Sequence, residues 1–328
     1  MSETPGRACP PRYRYAPSVL ATTALAECEV LYVVGGLYGN EPALESLLEL
    51  YARERGAKRL VFNGDFNWFN VAKQSFECIN HSVLGFDAIR GNVETELAAD
   101  DDDAGCGCAY PEWVGDDVVT RSNQIMQSLR ATARSFPRLR EALLALPMWF
   151  RIDVGGQRVG IVHGDAQSLA GWGFAQEHLA DAQHLQLVRE WFAQAQVDVY
   201  ASSHTCLPVF QTLPAQGAAF APIVLNNGAA GMPNFANAQE GLFTRIATRP
   251  FDGAERRFGV ERGGLFLDAV ALRFDAARWH REFLAQWPAG SAAHSSYWQR
   301  IVQGPRYELA EALRGIAPPP QRLPSVQE

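Results

Sequence analysis

The sequence predicts an α/β protein whose polar, chemistry-bearing residues stand directly after its strands. Three observations carry that expectation. A short apolar run over 29–34 is followed by glycines and then by Leu44, Leu47, Leu48 and Tyr51 at the i, i+3, i+4, i+7 spacing of an amphipathic helix. A second apolar run over 58–63 leads into Gly64-Asp65, so the two strands and their helix form a parallel β-α-β unit. Further on, Gly155-Gly156 joins two alternating runs, 149–154 and 158–162, as a tight hairpin.

In chain order, Asn40 is the expected N-cap of the first helix and Pro42 suits its first turn, where a missing N–H costs little. A third strand over 84–90 enters Gly91-Asn92-Val93-Glu94. An acidic and glycine-rich stretch, 100–108, precedes two helices, 117–135 and 137–146. The hairpin delivers His163-Gly164-Asp165 at a strand end, and a helix around Leu185, Val188 and Phe192 precedes a strand over 197–202 that ends at His204. Apolar runs at 223–225 and 265–274 are expected to complete a second sheet. Residues 1–28 read as an N-terminal extension, 29–295 as the main domain with a helical insert at about 96–147, 296–316 as a C-terminal helix and the Pro-rich 317–328 as a disordered tail.

At 328 residues, with 47% hydrophobic and 20% charged content, the chain can bury a full core without disulfides. A formal net charge of −7 argues against a general nucleic-acid or membrane-surface binder, because those neutralise phosphates with basic patches. No stretch is apolar enough for a signal peptide or a membrane span, so the expected location is cytoplasmic. Cys9, Cys28, Cys78, Cys106, Cys108 and Cys206 are irregularly spaced and, in a reducing compartment, are expected to be free thiols.

Five strand-end loops carry the chemistry: Gly36-Leu37-Tyr38-Gly39-Asn40, Gly64-Asp65, Gly91-Asn92-Val93-Glu94, His163-Gly164-Asp165 and Ser203-His204-Thr205-Cys206. Loops at the carboxyl ends of strands can converge on one cleft, which a multi-ligand metal site requires. In order and spacing they resemble the calcineurin-like metallophosphoesterases over about residues 29–228. The resemblance implies a four-layer α/β/β/α sandwich of two mixed sheets flanked by helices, with a two-metal site. That family's motifs are Asp-x-His, Gly-Asp, Gly-Asn-His or Gly-Asn-Cys-Asp, a lone His, and Gly-His-x-His.

Carried over position by position, Asp65, Asn92, His163 and His204 match the ligands of one metal, a divalent transition metal such as Mn, Fe, Zn or Ni. The other metal's positions hold Gly36, Tyr38 and Cys206. Glycine offers no ligand. Tyr38 and Cys206 are candidates for an altered second site as phenolate and thiolate; the alternative is a metal-free loop with a packed tyrosine and an inert buried thiol. Glu94 stands where one branch of the family has an acidic residue, and Val93 where others have a histidine proton donor. Asn40, at a helix N-terminus, is a candidate to hold phosphate. Cys106-Gly107-Cys108 lacks the gap of a zinc knuckle and reads as a flexible loop that can fold back over the site.

The implied reaction is hydrolysis of a phosphomonoester or phosphodiester by a metal-bound hydroxide, with a phosphorylated small molecule as substrate and one of the two metal sites altered. Two other readings stay open: a binding or scaffold module that has lost catalysis, and a redesigned metal centre with Tyr38 and Cys206 as ligands.

Overall fold

The computed structural model describes residues 4–101, 103–215 and 221–315. Its strands are β1 (Leu25–Cys28), β2 (Val30–Val34), β3 (Lys58–Asn63), β4 (Asp87–Ile89), β5 (Trp149–Val154), β6 (Gln157–Val162), β7 (Val199–Ser202), β8 (Val209–Thr212), β9 (Ile223–Asn226), β10 (Gly241–Ala247), β11 (Arg256–Arg262), β12 (Leu265–Leu272) and β13 (Leu313–Arg314). Its helices are α1 (Val19–Thr22), α2 (Glu41–Arg53), α3 (Lys73–Val83), α4 (Asn92–Ala98), α5 (Asp116–Ala133), α6 (Pro137–Ala145), α7 (Ala182–Ala195), α8 (Ala276–Gln286) and α9 (Ala292–Gln303). One sheet has the order β11-β12-β10-β2-β3-β4 and the other β1-β5-β6-β7-β9-β8-β13.

Alternation along β2 explains the layering. Leu31 and Val33 join Ile152, Ile161, Val199 and Leu225 of the other sheet in a core between the sheets. Val30, Tyr32 and Val34 instead pack with Leu44 and Leu47 of α2, Phe76 and Ile79 of α3, and Trp279 and Phe283 of α8. A strand buried on both faces reads as one continuous apolar run, as this one does. On the far side, Val188, Trp191 and Phe192 of α7 cover Val162, Tyr200 and Val224. The result is helix, sheet, sheet, helix.

β2, β3 and β4 are parallel neighbours, as are β6 and β7, so the loops that follow them leave from two facing sheet edges. Asn40 caps α2 by accepting from Ala43 N, and Gly155 and Gly156 turn the β5–β6 hairpin with φ of 59° and 83°, the two positive values a type I′ turn needs. The carboxylate of Glu96, fully buried on α4, accepts from Tyr13 Oη (2.6 Å), Arg130 Nη2 (2.6 Å) and Arg12 Nη2 (3.0 Å), tying the N-terminal segment and α5 to the helix that begins at Asn92.

Several expectations need correction. The strand expected over 84–90 is only Asp87–Ile89, because α3 runs to Val83 and its closing turn carries the chain through Phe86. β12 pairs antiparallel with β10 and so belongs to the first sheet, not the second. The C-terminal helix is Ala292–Gln303 rather than 296–316: Gly304 takes φ 74°, Pro305 follows, and the chain goes on to β13, which pairs parallel with β8. Residues 25–28 of the supposed extension form β1, parallel to β5. The expected tail, 317–328, lies outside the described residues. Among those described, no helix is long and apolar enough to cross a membrane.

Glu54, just past α2, fastens this layer to β10. Tyr32 Oη donates to it at 3.0 Å, Arg245 Nε at 2.8 Å and Arg249 Nη2 at 2.9 Å. Burial pushes its carboxyl up, but the two guanidiniums and the phenol more than offset this and hold it at about 2, against an ordinary 4.5. A depressed carboxyl stabilises the fold above its unfolded value and loses that contribution as pH falls through the folded one. The stability gap between wild type and Glu54→Gln, measured by urea titration, should therefore be full above about pH 4.5 and close towards about pH 2; a gap independent of pH would refute it.

Candidate metal centre

The five loops come together. Among the described residues, three of the six non-glycine positions with positive φ stand in them: Tyr38 (55°), Asp65 (54°) and Cys206 (64°). Left-handed backbone at such residues is strained, and it turns each chain sharply inward where β2, β3 and β7 end. Gly91 is required by the approach of the third loop, since a Cβ there would overlap Asp65 Oδ1.

Four acceptor atoms face one point. His163 Nδ1 lies 2.8 Å from Asn63 O and His204 Nε2 lies 3.0 Å from Cys108 O. A carbonyl can only accept, so those nitrogens carry the protons and each ring turns its other nitrogen's lone pair inward. Asn92 Nδ2 donates to Cys106 O at 3.0 Å, which leaves Oδ1 facing inward as well. From His163 Nε2 the separations are 3.1 Å to Asn92 Oδ1, 3.3 Å to Asp65 Oδ2 and 3.3 Å to His204 Nδ1. Tetrahedral ligands bonded at about 2.1 Å stand roughly 3.4 Å apart, so these three separations are those of atoms that could share one cation.

All four residues are buried. Burial and the neighbouring His163 push His204 down to about 4, which keeps it a neutral ligand. Burial also opposes charging His163, yet the Asp65 carboxylate more than offsets this and raises it. Asp65 is in turn lowered, burial being outweighed by His163 and His204. Asp65, His163 and His204 are also the one grouping of acidic, His or Cys ligands, among the described residues, close enough to share an ion.

No protein-family model matches the chain, and none of the curated proteins matches its sequence. Solved structures do match its fold. A hypothetical protein from Pyrococcus horikoshii OT3 superposes with a TM-score of 0.55 at 15% identity, covering 87% of this chain and all of that one. A metallophosphoesterase from Sphaerobacter thermophilus superposes with a TM-score of 0.50 at 14% identity, covering 84% of this chain and all of that one. The chain has the metallophosphoesterase fold.

Gly36, Tyr38 and Cys206, which the resemblance sets at the positions of a second metal, pack against one another. Tyr38 Oη and Cys206 Sγ are 2.8 Å apart, bonded to each other rather than opened towards a shared ion. Burial raises both groups, the phenol well above its ordinary range, so both stay protonated. The Tyr38 ring lies over the α-carbon of Gly36, where a Cβ would overlap it. The ring fills the space that any larger residue at position 36 would need, and the two candidate second-site ligands, Tyr38 and Cys206, form a neutral packed pair.

The two candidate catalytic residues also turn out otherwise. Glu94 is fully buried and accepts from Asp65 N (2.7 Å), Gly91 N (3.0 Å), Asn67 N (3.2 Å) and Asn67 Nδ2 (3.2 Å), so its carboxylate shapes the Asp65 loop instead of facing the cavity. Asn40 has both ends occupied, Oδ1 by Ala43 N and Nδ2 by Gly231 O, and likewise lies outside the cavity lining.

The cavity beside the four acceptors measures about 190 Å³ and is lined by Asp65, Asn92 and His204 together with Trp68, Tyr110, Trp172, Tyr297 and Arg300. The Cys106–Cys108 loop does fold over the site, but through backbone: Cys108 O accepts from both His204 and Trp172 Nε1 (3.0 Å). Tyr297 and Arg300 come from α9, one turn apart on one face. Nothing in their sequence neighbourhood ties them to the cleft, apart from that i, i+3 spacing.

Because Gly36 is not in the left-handed region, the cost of a side chain there comes first from overlap with the Tyr38 ring, which supplies the three nearest atoms. Gly36→Ala should destabilise by about 1–3 kcal/mol, the range for overpacking, and by much less in a Tyr38→Ala background. A double-mutant cycle by chemical denaturation reads this coupling; equal costs in both backgrounds would show that the ring does not occupy the space.

Proposed function

We propose that the chain is a phosphoesterase that works with a single divalent transition metal held by Asp65, Asn92, His163 and His204, acting on a phosphorylated small molecule. The convergence of four acceptor atoms, with their protons directed away into backbone carbonyls, carries this reading. A dication there would lower the pKa of water and neutralise phosphate oxygens. The residues fit manganese, ferrous iron, zinc or nickel alike, since two imidazoles with amide and carboxylate oxygens suit any of them.

What the chain itself contributes is orientation and exclusion of water. Asn63 O and Cys108 O fix the imidazole tautomers, Gly91 lets Asp65 approach, and Trp68, Tyr110 and Trp172 wall the cavity. It contributes little acid catalysis. Tyr38, Cys108, Tyr110, Cys206 and Tyr297 are all raised by burial, and Asp65 and His204 are lowered. None of these is poised near neutrality to protonate a leaving group, and Glu94, which burial and the Asp65 charge raise to about 7, is turned into the Asp65 loop and away from the cavity lining.

The rival reading is a binding module on the same fold. It draws on Gly36, Tyr38 and Cys206, which remove one metal position, but it gives no reason for the proton-free cage at the other.

Two experiments follow. Protein purified without added metal should carry close to one transition-metal ion per chain by mass spectrometry, and His163→Ala/His204→Ala should lose both the ion and hydrolysis; turnover that survives with the ion gone would sink the reading. Across a series of aryl and alkyl phosphates, kcat should fall steeply as the leaving group's pKa rises, and a flat series would mean that an acid has been overlooked.

A further inference from the structure

The metal cage leaves one charged group of the cavity without a task. We propose that Arg300 is the cleft's phosphate-binding cation and that it favours phosphomonoester dianions over diesters, an inference that rests on the one-metal reading above.

Arg300 is placed but not neutralised. Its Nη2 donates to Cys206 O at 3.1 Å and its Nε to Pro233 O at 3.3 Å. No carboxylate among the described residues pairs with it, whereas Arg121 and Arg278 each have such a partner. Two carbonyl anchors hold the planar guanidinium at the cavity wall and occupy only part of its five donors. Such a fork matches phosphate oxygens and loses little freedom on binding them.

Its location is as telling as its freedom. Arg300 is bonded to the backbone of Cys206, the residue whose thiol meets Tyr38. The cation from α9 therefore stands on the side of the cavity where the Tyr38 and Cys206 pair offers no charge of its own.

Charge then indicates the substrate. Asp65 is the sole carboxylate among the residues lining the cavity. Counting only the groups that line the cavity, a dication bound to it leaves one net positive charge, enough for a diester monoanion. With Arg300 the net charge becomes two positive, the complement of a monoester dianion. In a small, walled cavity such a match matters more than it would in water.

The test uses Arg300→Met and Arg300→Lys beside the wild type. Inorganic phosphate affinity is measured by calorimetry on metal-loaded and metal-stripped protein, metal content is determined on the same samples, and KM and kcat are measured for one aryl monoester and one aryl diester. Metal content should be unchanged. Phosphate affinity should fall about ten- to hundredfold in Arg300→Met, the scale of a lost charge-assisted hydrogen bond. Arg300→Lys should recover part of it, and the monoester-to-diester ratio of kcat/KM should drop in Arg300→Met.

Unchanged phosphate affinity in a metal-loaded Arg300→Met would overturn the role of Arg300 and leave the metal reading standing. Should the wild type hold no metal and hydrolyse nothing, the one-metal reading fails, but the stripped protein still decides. Phosphate binding that Arg300→Met abolishes would sustain the inference, and a wild type that binds no phosphate would overturn it.

Discussion

Four lone pairs, on Asp65 Oδ2, Asn92 Oδ1, His163 Nε2 and His204 Nδ1, meet in a buried volume with the chain's own protons turned away from them. Acceptors without a donor between them repel, and in a low-dielectric interior that repulsion is costly. Much of the surrounding architecture is intelligible as what holds this arrangement in place. Glu94 gathers four N–H donors to shape the Asp65 loop, Cys106 O and Cys108 O fix an amide and an imidazole, and Glu96 anchors the helix that starts at Asn92 between Tyr13, Arg12 and Arg130. That many groups are spent on holding Asp65, Asn92, His163 and His204 in one place.

The neighbouring position has a different logic. Gly36, Tyr38 and Cys206 look in sequence like three separate losses. In the structure they are one packing unit: the absent side chain at 36 makes room for the Tyr38 ring, and the ring's hydroxyl meets the thiol of Cys206. Random decay of a metal site would leave a void or unpaired polar groups. Here the space is filled and both polar groups are satisfied, and the four acceptors beside them keep their arrangement.

The loops were legible in the sequence because the signal is local: an apolar run, a glycine and a polar residue follow one another whatever lies elsewhere in the chain. What escaped depends on distant partners. β10 carries Thr244 and Arg245 inside a strand buried along its whole length, a pattern that reads as non-strand until Glu54 is found beside Arg245. β11 lies at a sheet edge with a largely polar face, and α3 surrounds Phe76, Ile79 and Val83 with polar residues. The carbonyls that set the histidine tautomers have no side-chain signature at all. Glu94 and Asn40 were legible as polar residues at helix starts, but their hydrogen-bond partners, and hence their structural roles, were not.

Arg300 shows the same limit from the functional side. A single arginine on an amphipathic helix is ordinary, and only tertiary structure shows that it reaches a cavity whose sole carboxylate is a metal-ligand candidate. The helix that brings it lies beyond all five motifs, packs through Ile301 into the core over the first sheet, and also supplies Tyr297 to the cavity wall. The cation side of the cleft thus comes from a part of the chain that follows all four acceptors. Charge at the cleft can therefore be changed through α9 without touching the four acceptors, because the guanidinium is anchored by the Cys206 and Pro233 carbonyls and by none of them.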